Sequence, residues 1–572
     1  MQDEDTVDQV AIVPGAGPAP GPAAAPPGGW RPRALWAGAL AVAGVALFWC
    51  YLLQSRTSPT VSDGAGIALQ GWDMLHGNLL LRGWWTADVS FYTFEIPIDA
   101  LVEAVHGLNA DAVHVTAAIA YAALVLVAAL LARGTARGSE GVTRAVLAAG
   151  IVVAPALTAS NLLLGSPDHI GVAVPIMLTF LVVDRARARW WVPIAVCLLL
   201  VWAQLDDPVA EFAAAAPLAL ICLTRAGLVV VHRRGSWWYD AALGVAGLVS
   251  YELTQIAVHA IRSAGGLSMR SLSAATTAMP VSTWGTQLLH TGQNVLLLFG
   301  AEYWSQPTGL LTAIAYVHLA GVALALCGVV AGVASLVWRR DRVTQILVAA
   351  VALTLGSGAF FTVMQLGFGA HDIAVTLPFG AVLAGRAVGP WLSAAWRRDT
   401  WRRATWRRPT GRTLAPLLVA PLLCAVLASY LGALGYAAAQ PAKPAPTQAL
   451  AGWLEQHHLT SGLARYYTAN ITTLASGGQV RAAPVQGFPS TPYVWVAKTS
   501  WYDPATYSAN FVIAGPDPAN NQTIPVKNVV DTFGHPAREY DVDGYVVMVY
   551  DKNLLRALSA PVQPHPDTGS RL

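Results

Sequence analysis

Apolar runs recur from one end of this chain to the other. They lie at about Leu35–Leu53, Val113–Ala132, Ala145–Leu164, Gly171–Val183, Trp191–Leu205, Val209–Leu223, Ala241–Ile261, Leu310–Val337, Ile346–Leu366, Ile373–Gly389 and Leu414–Ala437. About twenty apolar residues wound as a helix match a hydrocarbon layer roughly 30 Å thick. In lipid each backbone N–H and C=O must be satisfied within its own segment, which makes such runs helices. The pattern predicts a mostly α, polytopic membrane protein of about 11 spans. Several runs are short, so their bounds are soft, and Thr286–Gly300 reads as a twelfth span or a re-entrant piece. Composition agrees: 55% of the 572 residues are hydrophobic and 12% charged, whereas a soluble protein carries about a quarter charged. A net charge of +3 is small for this length and gives no reason to expect a nucleic-acid partner.

Basic residues fall in alternate connections. Arg133/Arg137/Arg144, Arg185/Arg187/Arg189, Arg225/Arg233/Arg234, Arg339/Arg340/Arg342 and Arg397 through Arg412 lie on one side, and only Arg56, Arg82, Arg262 and Arg270 on the other. By the positive-inside rule the N-terminus and the Arg clusters are cytoplasmic. An odd span count then places everything after Ala437 outside.

The chain divides accordingly. Residues 1–34 read as a disordered cytoplasmic tail, too rich in Pro, Ala and Gly to bury a core, and the first run as an uncleaved anchor. Residues 35–439 form the transmembrane domain, with a long first outer loop over 55–110. Residues 440–560 read as an extracytoplasmic α/β domain. There Thr447–Gln456 has helical periodicity with Thr447 as cap, and Gln479–Val485, Tyr493–Ala497, Asn510–Ala514 and Tyr545–Tyr550 read as strands. A polar tail, 561–572, follows. The repeat Trp396-Arg-Arg, Trp401-Arg-Arg, Trp406-Arg-Arg suits anionic headgroups at the interface. Cys50, Cys197, Cys222, Cys327 and Cys424 all sit in apolar runs, without metal or disulfide spacing, and read as small buried hydrophobes.

Acids of the membrane region gather on the predicted outer side. The first outer loop holds Asp63, Asp73, Asp88, Glu95, Asp99 and Glu103; later turns hold Asp168-His169, Asp206-Asp207, Glu211, Glu302 and His371-Asp372. A single acid in a solvated loop is ordinarily inert. Several at the ends of different spans suggest one shared cavity, since an ionisable group at the membrane boundary is costly unless solvated or paired. Aromatics in the first loop (Trp72, Trp84, Trp85, Phe91, Tyr92, Phe94) suit an interfacial belt or stacking on sugar rings. Trp453, Tyr466, Tyr467, Trp495, Trp501 and Tyr502 of the outer domain read as core, with carbohydrate binding as the alternative.

With Ser62-Asp63-Gly64, Trp72-Asp73 and Phe91-Tyr92-Thr93-Phe94-Glu95-Ile96-Pro97 in a long loop after the first span, the chain resembles the GT-C superfamily of membrane glycosyltransferases. It is also similar to a group of actinobacterial membrane proteins. The resemblance implies transfer of a sugar from a polyprenyl-phosphate donor to a cell-envelope acceptor at the outer face of a bacterial plasma membrane. Asp63 becomes the candidate base. Many members carry two adjacent acids here, whereas Gly64 follows Asp63, so Asp73 and Asp88 stand as alternatives. Asp73, Asp88, Glu95, Arg82, Asp168, His169, Asp206, Asp207, His371 and Asp372 become candidate substrate contacts. Arg82, Arg262, Arg270 and His371 are the cations for a departing phosphate, and Asp168, His169 and Asp372 the residues to assist a divalent metal (Mg or Mn) or the acceptor. Two other classes stay open. A transporter or flippase needs repeated halves and acids at mid-membrane, where this chain shows no clear repeat and acids at one face. A non-catalytic envelope scaffold would use the outer domain to bind a partner.

Overall fold

The computed structural model describes residues 30–155, 157, 159–166, 169–233, 235–269, 278–306, 308–338, 341–364, 369–395, 411–515 and 523–558. Asp168, Arg270, the Trp-Arg-Arg repeat, Asn521 and the two predicted tails, apart from residues 30–34, lie outside them. Two compact units emerge, Met1–Val45 and Ala46–Leu572. In the first, the start of helix α1 (Trp30–Ser55) shows Leu35, Val42 and Val45 at its surface.

In the second unit the apolar runs become helices α4 (Ala110–Arg133), α5 (Gly138–Val152), α7 (Ala173–Arg185), α8 (Trp191–Asp206), α9 (Ala216–Val231), α10 (Trp238–Ser263), α12 (Leu310–Trp338), α13 (Arg342–Val363), α14 (Thr376–Ala395) and α15 (Gly411–Ala438). A short α6 (Ser160–Leu163) follows α5, and α11 (Trp284–Leu298) occupies the predicted re-entrant stretch. Among the described residues, eight helices are long and apolar enough to cross a bilayer. The three remaining runs correspond to the shorter α5, α7 and α8, of 15, 13 and 16 residues. Helices α4 and α14 are buried along most of their length, whereas Leu248, Leu326, Val330 and Leu431 are exposed. A bundle that turns such side chains outward has lipid as its solvent. Cys327 and Cys424 share this exposure, Cys50 is half-buried, and only Cys197 and Cys222 are buried. In lipid a thiol on the outside of a helix costs little, so the uniformly buried reading fails.

The first loop folds into α2 (Ser62–Leu75), strand β1 (Trp84–Trp85) and α3 (Glu95–His106). Helix α3 inverts the usual amphipathic pattern. Glu95, Asp99 and Glu103, at i, i+4 and i+8, are buried, while Leu101 and Val105 are exposed. Four-residue spacing puts the three acids on one face, and that face looks inward.

The C-terminal region carries α16 (Gln448–Gln456), α17 (Tyr466–Ala475) and α18 (Val526–Phe533) around a mixed sheet. The sheet order is β4 (Thr491–Pro492), β3 (Arg481–Gln486), β2 (Ser461–Ala464), β6 (Phe511–Gly515), β9 (Tyr545–Val549), β8 (Arg538–Val542), with β7 (Ile524–Pro525) also on β6. Strand β2 runs parallel to β3 and β6, and β9 antiparallel to β6 and β8. The stretch Tyr493–Val496, read as strand, is irregular and leads into β5 (Ala497–Lys498), which pairs antiparallel with β1 of the first loop. Thr447 sits at the N-cap of α16 without a capping hydrogen bond from its side chain. One hydrophobic core joins Ala65, Ile67, Trp84 and Phe91 of the first loop to Leu463, Ile471, Trp501 and Met548. The loop and the C-terminal region therefore bury their apolar surface together and fold as one layer.

Candidate functional site

Six of the eleven residues singled out in the sequence line two adjoining cavities at the end of the bundle capped by that layer. The first, about 310 Å3, is lined by Asp63, Asp88, His169 and His371, with Tyr466, Tyr467, Tyr493 and Trp495 from the C-terminal region. The second, about 420 Å3, shares Asp88, His169, His371 and Trp495, adds Asp207 and Asp372, and continues between Val209, Phe212, Thr354, Ser357 and Phe361.

Asp63 stands in the first turn of α2, where a carboxylate is favoured by the helix dipole. The Tyr466 hydroxyl donates to its Oδ1 at 2.5 Å. Gly64 has a steric reason: a Cβ there would lie 2.7 Å from Val113 Cγ1 and 3.2 Å from the Gly165 carbonyl. A second acid after Asp63 has no room. Asp88 is largely buried, and that burial raises its pKa, against the opposing pull of His169.

His169, His371 and Asp372 come from two connections far apart in sequence. His169 Nδ1 lies 2.6 Å from Asp207 Oδ2 and its Nε2 3.5 Å from Asp372 Oδ1. His371 Nε2 lies 3.3 Å from Asp372 Oδ2, and the two imidazoles stack with centroids 5.3 Å apart. One ligand atom from each of the three can be chosen so that all lie within 4.8 Å of one another. A carboxylate on Nδ1 fixes the tautomer that leaves Nε2 available, as in metal-bound histidines. The cluster can hold a divalent metal. The backbone is strained beside it. Phe91 (φ +53°) and His169 (φ +39°) line the first cavity, and Val496 (φ +44°) follows Trp495. Left-handed backbone outside glycine persists where the surroundings enforce it, and it concentrates at functional sites. A π-turn at Glu211–Ala215, another feature enriched at such places, presents Phe212 to the second cavity.

The other sequence candidates lie elsewhere. Asp73 accepts from Asn78, Trp84 Nε1 and, at 2.9 Å, Lys498 Nζ, which clasps the first loop to β5. Arg82 is exposed and lines neither cavity. Asp206 is a clamp: its Oδ1 accepts from Thr93 N (3.1 Å) and Phe94 N (2.8 Å) at the start of α3. Glu95 meets Asp206 out of contact with water, and burial together with that second carboxylate pushes its pKa well up. Arg262 lines neither cavity. The sequon residue Asn470 is buried and donates to the Val496 carbonyl. Tyr493 is expected from the sequence only as the start of a strand. Tyr466, Tyr467 and Trp495 read there as core; their only signal was local aromatic density.

No protein-family model and no curated protein matches the chain. The fold is shared with solved membrane proteins of low identity. Among solved structures it is similar to ArnT from Cupriavidus metallidurans. Against the apo form identity is 12% and the TM-score 0.52, over 92% of this chain and 99% of that one. Against the form bound to undecaprenyl phosphate the values are 14% and 0.51, over 91% and 98%. The apo oligosaccharyltransferase of Archaeoglobus fulgidus matches over 85% of this chain and 70% of that one, at 13% identity and TM-score 0.48. At these identities the likeness is one of fold.

Proposed function

We propose that this protein transfers a sugar from a polyprenyl-phosphate donor to a cell-envelope acceptor at the outer face of a bacterial plasma membrane. The observation that carries the reading is the pair of joined cavities. One is polar, with Asp63, Asp88 and the histidines; the other runs on into an apolar passage past Val209, Phe212 and Phe361. A donor with a polar head and a prenyl tail needs both halves. The ArnT structure bound to undecaprenyl phosphate supports a lipid phosphate as ligand of this fold.

Asp63 takes the proton of the acceptor hydroxyl as its oxygen attacks the anomeric carbon. The new C–O bond forms, the bond from the anomeric carbon to the phosphate oxygen breaks, and the lipid phosphate leaves with the electron pair. General-base assistance of this kind is worth roughly 10²–10⁴ in rate. His169, His371 and Asp372 would hold a divalent ion, and Asp207 would orient His169. Bound there, such an ion supplies Lewis-acid stabilisation of the leaving phosphate. Two imidazoles and one carboxylate favour Mn or Zn over Mg, which prefers oxygen ligands.

The test is transfer of radiolabelled sugar from a synthetic polyprenyl-phosphate donor by the full chain in nanodiscs. Asp63→Asn should lower the rate by roughly 10²–10⁴ with unchanged elution and melting. Full activity in that variant would remove Asp63 from the mechanism. Donor-independent, ion-coupled solute uptake in liposomes would replace the enzyme with a transporter.

A further inference from the structure

We propose that a third cavity, on the membrane flank of the bundle, binds a lipid whose headgroup donates hydrogen bonds. The site stands apart from the transfer reading and does not depend on it.

This cavity measures about 520 Å3 and lies between the end of α8, the π-turn Glu211–Ala215 and α10. Gln204, Glu211, Phe212, Leu248, Val249 and Glu252 line it. Phe212 also lines the second cavity, so its ring is a wall common to both. The mouth faces lipid. Leu248 and Val249 are 55% and 42% exposed, within a helix long and apolar enough to cross a bilayer. A ligand that enters between them comes from the membrane.

Glu252 is exposed on the same helix. Trp237 and Trp238, exposed at the start of α10, mark one edge of the bilayer, as interfacial tryptophans do. A rise of about 1.5 Å per residue sets Glu252 about 21 Å from Trp238, inside a hydrocarbon layer roughly 30 Å thick. A carboxylate at that depth is costly unless it is paired or solvated, and it is a functional candidate by default. Among the described residues, neither the Glu211 nor the Glu252 carboxylate has a hydrogen-bond or ion-pair partner.

Gln204 supplies an independent sign. It is 4% exposed. Its amide nitrogen is spent twice, donating to the Leu200 carbonyl at 3.1 Å and to Ser250 Oγ at 2.9 Å, while Ser250 Oγ donates to the Gly247 carbonyl at 2.8 Å. Those bonds fix the direction of the amide and leave its Oε1 buried without a hydrogen-bond partner. An acceptor left so is costly. The wall therefore spends its donors within the helices and keeps acceptors: one amide oxygen and two carboxylates. The matching ligand brings donors, either an ammonium or the hydroxyls of a sugar or glycerol. Its acyl chains fit the apolar side of the cavity, along Phe212, Leu248 and Val249.

The test counts lipids bound to the full chain in detergent by native mass spectrometry. The chain is titrated with dioleoyl lipids of four headgroups: phosphocholine, which has no N–H or O–H to donate, phosphoethanolamine, monoglucosyl, and the bare phosphate of phosphatidic acid. The ethanolamine or the glucosyl lipid should bind at least tenfold tighter than the choline lipid. Preference for ethanolamine alone assigns the ammonium as the source of donors, and preference for the glucosyl lipid alone assigns hydroxyls. Glu252→Leu should bring the preferred lipid to within threefold of the choline lipid without lowering the melting temperature, because a leucine there faces lipid. Equal binding of all four lipids, tightest binding of phosphatidic acid, or a preference that survives Glu252→Leu would each overturn the proposal. No arm uses a sugar donor, so a failure here leaves the transfer reading standing, and a failure of transfer leaves this site.

Discussion

The two ends of the helical bundle use the same acids in opposite ways. At the end away from the cavities, each buried acid meets arginine. Buried Arg386 donates to Asp184 at 2.5 Å, to Asp341 at 2.8 Å and to the Leu131 carbonyl. Asp240 lies between Arg342 at 2.5 Å and Arg225 at 3.4 Å. These contacts pin α7, α13 and α14, and α9, α10 and α13, to one another. At the cavity end Asp63 accepts from a tyrosine, Asp207 and Asp372 meet histidine, and the acids of α3 are buried on one face. Neutralised acids hold helices together. Acids gathered around histidines keep charge and proton affinity for a ligand, and the fold bears their cost.

The comparison breaks most directly by removing one residue from each end. Arg386→Met leaves two acids without their cation, and losing one partner of a buried ion pair costs about 3–5 kcal/mol. The variant should melt far lower or fail to fold. Asp372→Asn keeps an oxygen for the Gly369 N–H, which Asp372 now accepts at 2.7 Å, and should melt within about 1 kcal/mol of the parent, the range of substitutions that keep their contacts. It should nevertheless lose most transfer. A stable Arg386→Met protein, or an unfolded Asp372→Asn one, would erase the distinction between the ends; thermal melts in detergent decide it.

Much of this division can be read from residue order. Apolar runs give the helices, and the acids sort to one set of connections and the arginines to the other. What sequence spacing lacks is the distinction between neighbours. Asp206 and Asp207 are adjacent and identical, yet one clamps the start of α3 and the other holds His169. Spacing also carries no trace of Tyr466 meeting Asp63 across 403 residues. Nor does it show that Tyr493–Val496, which alternates like a strand, is bent by Asn470 and Gly66. Eleven runs against eight long helices has a similar cause: α5, α7 and α8 reach only 13 to 16 residues, α5 and α8 ending before and α7 starting after the turns that carry His169 and Asp207.

A smaller effect sharpens the picture of the cavity end. Burial pushes the Asp99 carboxyl up to about 7, against a hydrogen bond from Thr116, and burial with the nearby Asp99 pushes Glu103 up to about 10. Both folded values lie above the ordinary carboxylate range. The stability these sites allow is therefore fully present below about pH 4 and is lost as pH rises through 7 and toward 10, by at most about 1.4 kcal/mol per group and pH unit. The double variant Asp99→Asn, Glu103→Gln should melt like the parent at pH 4 and several degrees higher at pH 9. Equal pH slopes for the two proteins would show that α3 does not bury its acids.

The smallest effect separates the three acids of the first loop that compete for one role. Asp73 faces Lys498, Trp84 and Asn78, with about a quarter of its side chain exposed and no part in either cavity. Half-exposed ion pairs contribute about 0–1 kcal/mol. Lys498→Met and Asp73→Asn should each lower the melting temperature by a degree or two, because the β1–β5 pairing and the shared core still join loop to sheet. Transfer should stay within about threefold of the parent, since neither side chain lines either cavity. Asp73 would displace Asp63 as the base if Asp73→Asn lost transfer by the roughly 10²–10⁴ of a general base while Lys498→Met did not. Equal, modest losses in both variants mark a clasp.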